Sequence, residues 1–393
     1  VEERMTLDEC FAMLGRDPDV DAPELFAYDA ADQLLLETAA PHFAALNPGE
    51  LVVIGDRHGA LTLGAAQVYG LRGIRTHQDP VLGERALARN AERLGLDTAD
   101  TYRSLPLGAE LLTGARLVLV QLPRALDALD EIAAWIAKTA DPGVIVLAGG
   151  RDKHMSRSMN DILARYFGEV SAGRGVRKAR VLTATQPLAS VTGGDELAFP
   201  KWGSDRELSF ELAAFGATFG GPTFDHGSRL MLAGLRAEYA GRAGDRSAPL
   251  RIVDLGCGNG VLAVSAALLF PDAEIIATDQ SHAAVAATKL TAERAGVADR
   301  ITVHRADGME AVADGWADLV LLNPPFHTGA IVHAEVAHRL IKSCARVLAP
   351  GGELRIVFNS HMRYRPLVER HIGTTRQVAR DKTFTVLSSI RTQ

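Results

Sequence analysis

Residues 319–329 read LVLLNPPFHTG. Leu319 to Leu322 have the apolar run of a buried strand. That strand feeds directly into a side-chain amide, two prolines and an aromatic ring, with His327 behind them. Pro324 and Pro325 have no backbone N–H to give, and each fixes its own φ near −65°. The result is a rigid, donor-poor turn in which Asn323 supplies an amide and Phe326 a flat face. A second group of residues lies upstream in RIVDLGCGNGVLAV (251–264), where a strand ends in Asp254 and runs into Gly256, Gly258 and Gly260. Glycines there let the backbone pass close to a ligand at the mouth of a sheet, where a side chain would collide.

Two more carboxylates stand at ends of predicted strands. EIIATDQS (274–281) ends with Asp279 and Gln280, with Asp279 about 20 residues after the glycines, where an acid can accept both hydroxyls of a ribose. Its alternative role is to cap the next helix beside Ser281. ITVHRADGME (301–310) ends in Asp307-Gly308, suited to an exocyclic amine of an adenine or to a plain turn. The loop spacing G-C-G-N-G is tighter than the G-x-G-x-x-G that opens a helix onto a pyrophosphate, which weakens a dinucleotide reading. Asn259 is read either as a helix cap or as a contact to the ligand. Cys257 fills a small buried slot with no base beside it.

The elements needed to position these groups occur twice. LVVIGDRHGALTLGAA (51–66) repeats the strand, glycine turn and small-residue helix of 251–267, with Gly59 aligned to Gly260. At the same offset AERLG (91–95) falls on AERAG (292–296), and with one residue more LVLVQLPRA (117–125) overlays LVLLNPPFH. A repeat of this length indicates a duplicated domain, not a solenoid. Alternating strands and helices within each copy predict a doubly wound α/β sheet. A Pro/Gly/Ser-bearing stretch near 185–205 separates a first domain over 1–190 from a second over 200–393. In the first copy Val53 aligns with Asp254, Arg57 with Gly258 and Gln78 with Asp279. The acid and the space for a ligand are therefore expected to be missing, and this domain is read as degenerate.

Composition sets the outer bounds. The chain has 393 residues, 47% hydrophobic and 23% charged, with a net charge of −6. No apolar run is long enough for a membrane span. The stretch VEERMTLDEC has acids where a signal peptide would put bases, so none is expected there, and three scattered cysteines suggest neither a disulfide framework nor a metal cluster, so a cytoplasmic home is expected. Residues 1–50 hold 12 acids against 2 bases, whereas 151–180 and 351–393 each hold 8 bases against 3 acids. Two basic stretches at corresponding places in the repeat are compatible with a basic face on a mildly acidic protein.

Taken together, DLGCGNG, Asp279, Asp307-Gly308 and NPPF resemble the class I S-adenosylmethionine-dependent methyltransferases. NPPF narrows the resemblance to enzymes acting on a planar exocyclic nitrogen. The duplicated architecture, with the FGGPTFDHGSRLML segment (219–232), is similar to the tandem-domain bacterial ribosomal RNA guanine-N2 methyltransferases. The chain departs from that family at GGP (220–222), where relatives tend to have Ser-Arg. The resemblance implies S-adenosylmethionine as cofactor, contacted by Phe219, Asp225, Asp254, Gly256, Gly258, Asn259, Asp279, Gln280, Asp307, Gly308 and Asn323. It implies catalysis by Asn323, Pro324, Pro325 and Phe326. The Asn323 oxygen and the Pro324 carbonyl would accept from the two N–H bonds of the target amino group, favouring tetrahedral geometry there, while Phe326 stacks on the flipped base.

Forming N2-methylguanosine in ribosomal RNA is the expected activity. Transfer to adenine N6, transfer to a protein glutamine amide, and a non-catalytic RNA-binding assembly factor are the alternatives. The expected partner is ribosomal RNA or a ribosomal subunit, with neither metal nor membrane, and the chain is expected to act as a monomer. Arg174, Arg177, Lys178, His327, Arg363 and Arg365 are the candidates for holding RNA, with Arg151, Lys153, Arg157, Arg180, Arg370, Arg376, Arg380 and Lys382 in the same basic stretches.

Overall fold

Apolar runs of four or five residues become the middle strands of two seven-stranded sheets in the computed structural model, which describes residues 5–192, 197–239, 248–324 and 330–392. The chain forms two units, Val1–Phe199 and Pro200–Gln393. In the first, the strands are β1 (Leu51–Ile54), β2 (Ile74–His77), β3 (Tyr102–Ser104), β4 (Leu117–Gln121), β5 (Ile145–Arg151), β6 (Phe167–Ala172) and β7 (Ala179–Pro187). Their order is β3-β2-β1-β4-β5-β7-β6, parallel through β5 and antiparallel at β7 and β6. Three helices of this unit matter below: α1 (Ala30–Phe43), α2 (Ala60–Tyr69) and α3 (Arg157–Ala164).

A small antiparallel pair, β8 (Lys201–Gly203) and β9 (Leu212–Ala214), opens the second unit. Its main strands are β10 (Arg251–Leu255), β11 (Glu274–Asp279), β12 (Ile301–Arg305), β13 (Ala317–Leu322), β14 (Leu348–Asn359), β15 (Gly373–Arg380) and β16 (Phe384–Arg391). The order β12-β11-β10-β13-β14-β16-β15 repeats the first sheet strand for strand, including the antiparallel edge. Helices α4 (His226–Tyr239), α5 (Val261–Leu269), α6 (His282–Arg294), α7 (Ala330–Val347) and α8 (Arg365–His371) accompany it.

Strands covered on both faces must be apolar along their whole length. Every residue of β1 and β4 is buried accordingly. Successive side chains alternate between two cores: Ile252, Leu319 and Leu321 enter one, Val253, Leu255, Val320 and Leu322 the other. Strand β10 lies between β11 and β13, so the chain leaves β10 toward one side of the sheet and β13 toward the other, which opens a crevice at the carboxyl ends of the strands. The loops after β10, β11, β12 and β13 carry the candidate residues to that crevice. No described helix is long and apolar enough to cross a membrane.

Candidate active site

The three glycines after β10 do different jobs. Gly256, Gly258 and Gly260 all have positive φ (77°, 55° and 83°). A Cβ added at Gly256 or Gly258 would meet no atom within 4 Å, so the loop there borders open space. At Gly260 it would come within 3.0 Å of the Thr288 Cα, so this glycine permits close packing of α5 against α6. Asp279 fixes the loop: its two carboxylate oxygens accept from Gly258 N at 3.1 Å and Ser281 N at 3.0 Å. One acid thus ties the glycine loop to the end of β11.

Asp254 is wholly buried, and one of its oxygens accepts from Ala263 N at 2.9 Å in the first turn of α5. The other has no hydrogen-bond partner. Burial, reinforced by the nearby Asp279 charge, pushes its carboxyl up to about 7. The Asn259 side chain is engaged on both sides. Its oxygen accepts from Val261 N at 3.1 Å at the start of α5, and its nitrogen donates to the carbonyls of Gly221 (3.0 Å) and Thr223 (2.9 Å). Gly220 and Gly221 both take left-handed backbone, with φ of 72° and 63°. That double turn, made by the GGP in which the sequence departs from the family pattern, aims the Gly221 carbonyl at Asn259. Phe219, 54% exposed, stands two residues before it. Cys257 is buried, accepts from the Thr288 hydroxyl at 3.2 Å, and has its thiol pushed well up by burial.

Asn323 follows β13 and is held by the start of α4. Its Nδ2 donates to Asp225 Oδ1 at 3.1 Å and to the Ser228 hydroxyl at 3.0 Å. Asp225 Oδ1 also accepts from Ser228 N at 3.0 Å, so the carboxylate caps α4 and orients the amide at once. Both amide hydrogens are then used, which fixes which way the side-chain oxygen faces. Among the described residues nothing donates to Asn323 Oδ1 or to the Pro324 carbonyl. Pro325, Phe326 and His327 lie outside the described residues. Ser228 escaped the sequence reading: a hydroxyl three residues after Asp225 signals a cap, but its bond to a residue 95 positions away has no local signature.

Asp307 does two things at once. Its backbone N–H donates to Glu310 at 2.9 Å, and its Oδ2 takes the Arg339 guanidinium at 2.7 Å. Gly308 follows with φ 55°. Gln280 is exposed, and its carbonyl accepts from Arg305 at 3.2 Å. Of the basic candidates, Arg177 pairs with Glu37 at 2.6 Å, and Arg365 with Glu369 at 2.8 Å and the Thr375 carbonyl at 3.0 Å. Arg174, Lys178 and Arg363 are exposed and make no side-chain ion pair among the described residues.

The geometry after β10, β11 and β13 invites comparison with known proteins. Residues 210–388 match the family described as "Methyltransferase small domain", and residues 2–188 match the "RLMG N-terminal domain". A ribosomal RNA large subunit methyltransferase G of Pseudomonas entomophila is 33% identical over 379 residues, covering 96% of each chain. One from Streptomyces coelicolor is 31% identical over 397 residues, covering 96% of this chain and 98% of that one. The chain belongs to the ribosomal RNA large subunit methyltransferase G family. Its fold is also that of a Thermus thermophilus 16S rRNA N2-guanine methyltransferase solved with AdoMet and guanosine (TM-score 0.72, 20% identity, 95% and 97% of the two chains covered).

In this family member the first unit keeps the layout of the second and fills it. Gly55 and Gly59 match Gly256 and Gly260, but a Cβ on Gly55 would lie 3.0 Å from the Gln121 carbonyl, so the open space is gone. The acid, expected to be missing, is displaced: Asp56, in the position of Cys257, accepts from Leu61 N (3.1 Å) and Thr62 N (2.8 Å). Thr62 N corresponds to the Ala263 N held by Asp254. An N-terminal helix turn with orphan N–H groups needs an acceptor, and a loop residue three positions later can reach it as well as the strand residue can. Arg57 stands where Gly258 does and reaches Asp29 at 2.7 Å and Asp32 at 3.9 Å. Gln121, in the place of Asn323, donates to Asp32 at 2.6 Å, as Asn323 donates to Asp225 and Ser228. Gln78 donates to the Asp56 carbonyl instead of offering a carboxylate.

Proposed function

We propose that the second unit transfers a methyl group from S-adenosylmethionine to the exocyclic N2 of a guanine in large-subunit ribosomal RNA. The carrying observation is the orientation of Asn323, whose amide hydrogens go to Asp225 and Ser228 and whose oxygen is left as an acceptor beside the Pro324 carbonyl. Two fixed acceptors suit the two N–H bonds of an amino group. They would stabilise positive charge as its nitrogen leaves the plane of the ring, and Asn323 is already held by Asp225 and Ser228 before reaction. A hydroxyl target would leave one of them unmatched.

The residues around the crevice fit the cofactor. Gly256 and Gly258 leave room where side chains would intrude, and Asp279, at the end of β11 and bonded to that loop, would be the acceptor for a ribose. Bound S-adenosylmethionine would supply an electrophilic methyl on a sulfonium. Asp254, Gly256, Gly258, Asp279, Gln280 and the Phe219 to Asp225 segment would hold it, while Asn323 and Pro324 orient the acceptor nitrogen. Asp307 would reach an adenine amine only through the oxygen that Arg339 does not take. The large-subunit address follows the names of the relatives matched along nearly the whole chain. A ribosomal substrate puts the reaction in the cytoplasm. Arg174, Lys178 and Arg363 are the cations best able to meet RNA phosphates, because Arg177 and Arg365 are already paired.

The test offers purified protein labelled S-adenosylmethionine and ribosomal RNA or subunits from cells lacking it, then digests the RNA and identifies the labelled nucleoside. Label in N2-methylguanosine from the large-subunit RNA, absent with Asn323→Ala, is expected. Label in N6-methyladenosine, in protein, or nowhere despite cofactor binding would overturn the assignment.

A further inference from the structure

A cavity of about 430 Å³ opens in the first unit between the start of α3 and the β6–β7 hairpin. It lies at the opposite sheet edge from β3. Met155 and Leu182 give it an apolar side, Ser156 and Asn160 a polar one, and Arg157 and Arg180 bring cations. Asp152 also lines it, pairing with Arg180 at 3.3 Å and leaving Arg157 without an opposing carboxylate in the cavity. Ser156 is the N-cap of α3 but makes no side-chain cap bond, so the first amides of that helix are not served by it. Asn160 Oδ1 and the neighbouring Arg151 Nε are buried without a hydrogen-bond partner.

The surroundings are cationic. Partial desolvation and the charges of Arg124, Lys153, Arg151 and Arg57 hold the exposed His154 below the ordinary imidazole range. Arg124 occupies the position of Phe326 in the repeat, so this end of the first sheet has gained charge where the second has a ring. The tip of the β6–β7 hairpin adds to it. Arg177 and Lys178 both adopt left-handed backbone (φ 50° and 59°), closed by paired Val176–Ala179 hydrogen bonds of 2.8 and 2.9 Å. That turn favours Asn-Gly, and here it carries two bases, of which Arg177 is paired with Glu37 and Lys178 has no ion pair among the described residues. The Lys178 carbonyl accepts from Asp152 N at 3.0 Å, which anchors the tip beside the cavity.

We propose that this cavity seats one nucleotide of the RNA substrate, its phosphate against Arg157 and the α3 start and its base against Met155 and Leu182 with Asn160 at its edge. The inference rests on the proposed action on RNA and adds a second nucleotide site outside the catalytic unit. The volume is of the size that holds a small organic ligand, and the combination of apolar wall, amide and cation matches a base joined to a phosphate.

Fluorescence anisotropy with a short labelled single-stranded oligoribonucleotide tests this on the full chain. Arg157→Glu should weaken binding at least about tenfold and flatten its salt dependence, because a phosphate contact is lost. Asn160→Leu should weaken binding several-fold with the salt slope kept, because no charge changes. Arg103→Glu, on β3 at the far edge of the same sheet, should match the unaltered chain. Retained cofactor binding and an unchanged melting temperature certify the fold of each variant. Binding that is indifferent to Arg157→Glu, or weakened equally by Arg103→Glu, overturns the cavity while sparing the proposed reaction, as does an Asn160→Leu variant identical to the parent. An unaltered chain that neither binds nor methylates RNA overturns both.

Discussion

The turn after β10 and the turn after β1 begin from the same backbone plan and end with opposite chemistry. In the second unit Gly256 and Gly258 face open space, and Asp279 steadies the loop. In the first, Arg57 replaces the middle glycine and is drawn to Asp29 and Asp32, while Gln78 replaces the acid. What survives in both is the scaffold around the site: a carboxylate capping the first helix after the strand, and an amide at the end of the fourth strand reaching back to the start of the helix that precedes the first strand. These bonds satisfy buried polar groups, so they are costly to remove whether or not a ligand binds. The open space and the half-buried acid at the end of the second strand are what the first unit has lost.

If this comparison is right, Gly258→Arg converts the catalytic loop toward its silent twin. It puts a side chain into the open crevice at φ 55°, a conformation L residues rarely take. Cofactor affinity should fall by about 100-fold or more, ~2.7 kcal/mol, in calorimetric titration. Asn323→Ala removes an acceptor without touching the glycine loop, so single-turnover transfer should slow by roughly 10² to 10³ with the cofactor still bound. Retained transfer would show that the amide is structural, as Gln121 is in the first unit.

Smaller effects sharpen the picture. Asp225→Ala leaves the Asn323 amide held by Ser228 alone, and the misdirected oxygen should cost roughly 10- to 100-fold in kcat against little change in KM. A rise in KM with kcat unchanged would assign Asp225 to binding alone. In the first unit Arg57→Ala leaves Asp29 and Asp32 facing each other. Because Arg57 is half-exposed, the loss should be about 1–2 kcal/mol of that unit's stability, read by urea melting, with methyl transfer to a short RNA unaffected.

A pH dependence probes the buried carboxyls of both units. Burial raises the Asp254 and Asp32 carboxyls to about 7, against an ordinary 3.8. Between those values the unfolded chain has lost protons that the fold retains, so these groups make stability fall as pH rises from near 4 to 7. Asp254→Asn should flatten that fall in thermal melts of the second unit, and an unchanged profile would mean that Asp254 is ionised in the fold.

Much of this was legible without coordinates, because it depends on local pattern. The apolar runs of β1, β4, β10 and β13, the helix at 282–294 and the two-fold repeat follow from burial and periodicity. The Asp254 to Gly260 loop and Asp279 sit at strand ends because chain order alone puts them there. The prolines at 324 and 325 declare a donor-poor turn by their chemistry. Other features were hidden because they depend on residues far apart in sequence. Asp56 taking the role of a strand acid could not be read from an alignment that pairs it with Cys257. The pairing of Arg177 with Glu37, 140 positions away, likewise has no local signature. Residue types and spacing determined which groups stand at the mouth of each sheet. Only the tertiary structure decided which of their donors and acceptors the protein already matches; among the described residues nothing donates to Asn323 Oδ1 or to the Pro324 carbonyl, the pair that the proposed reaction would use.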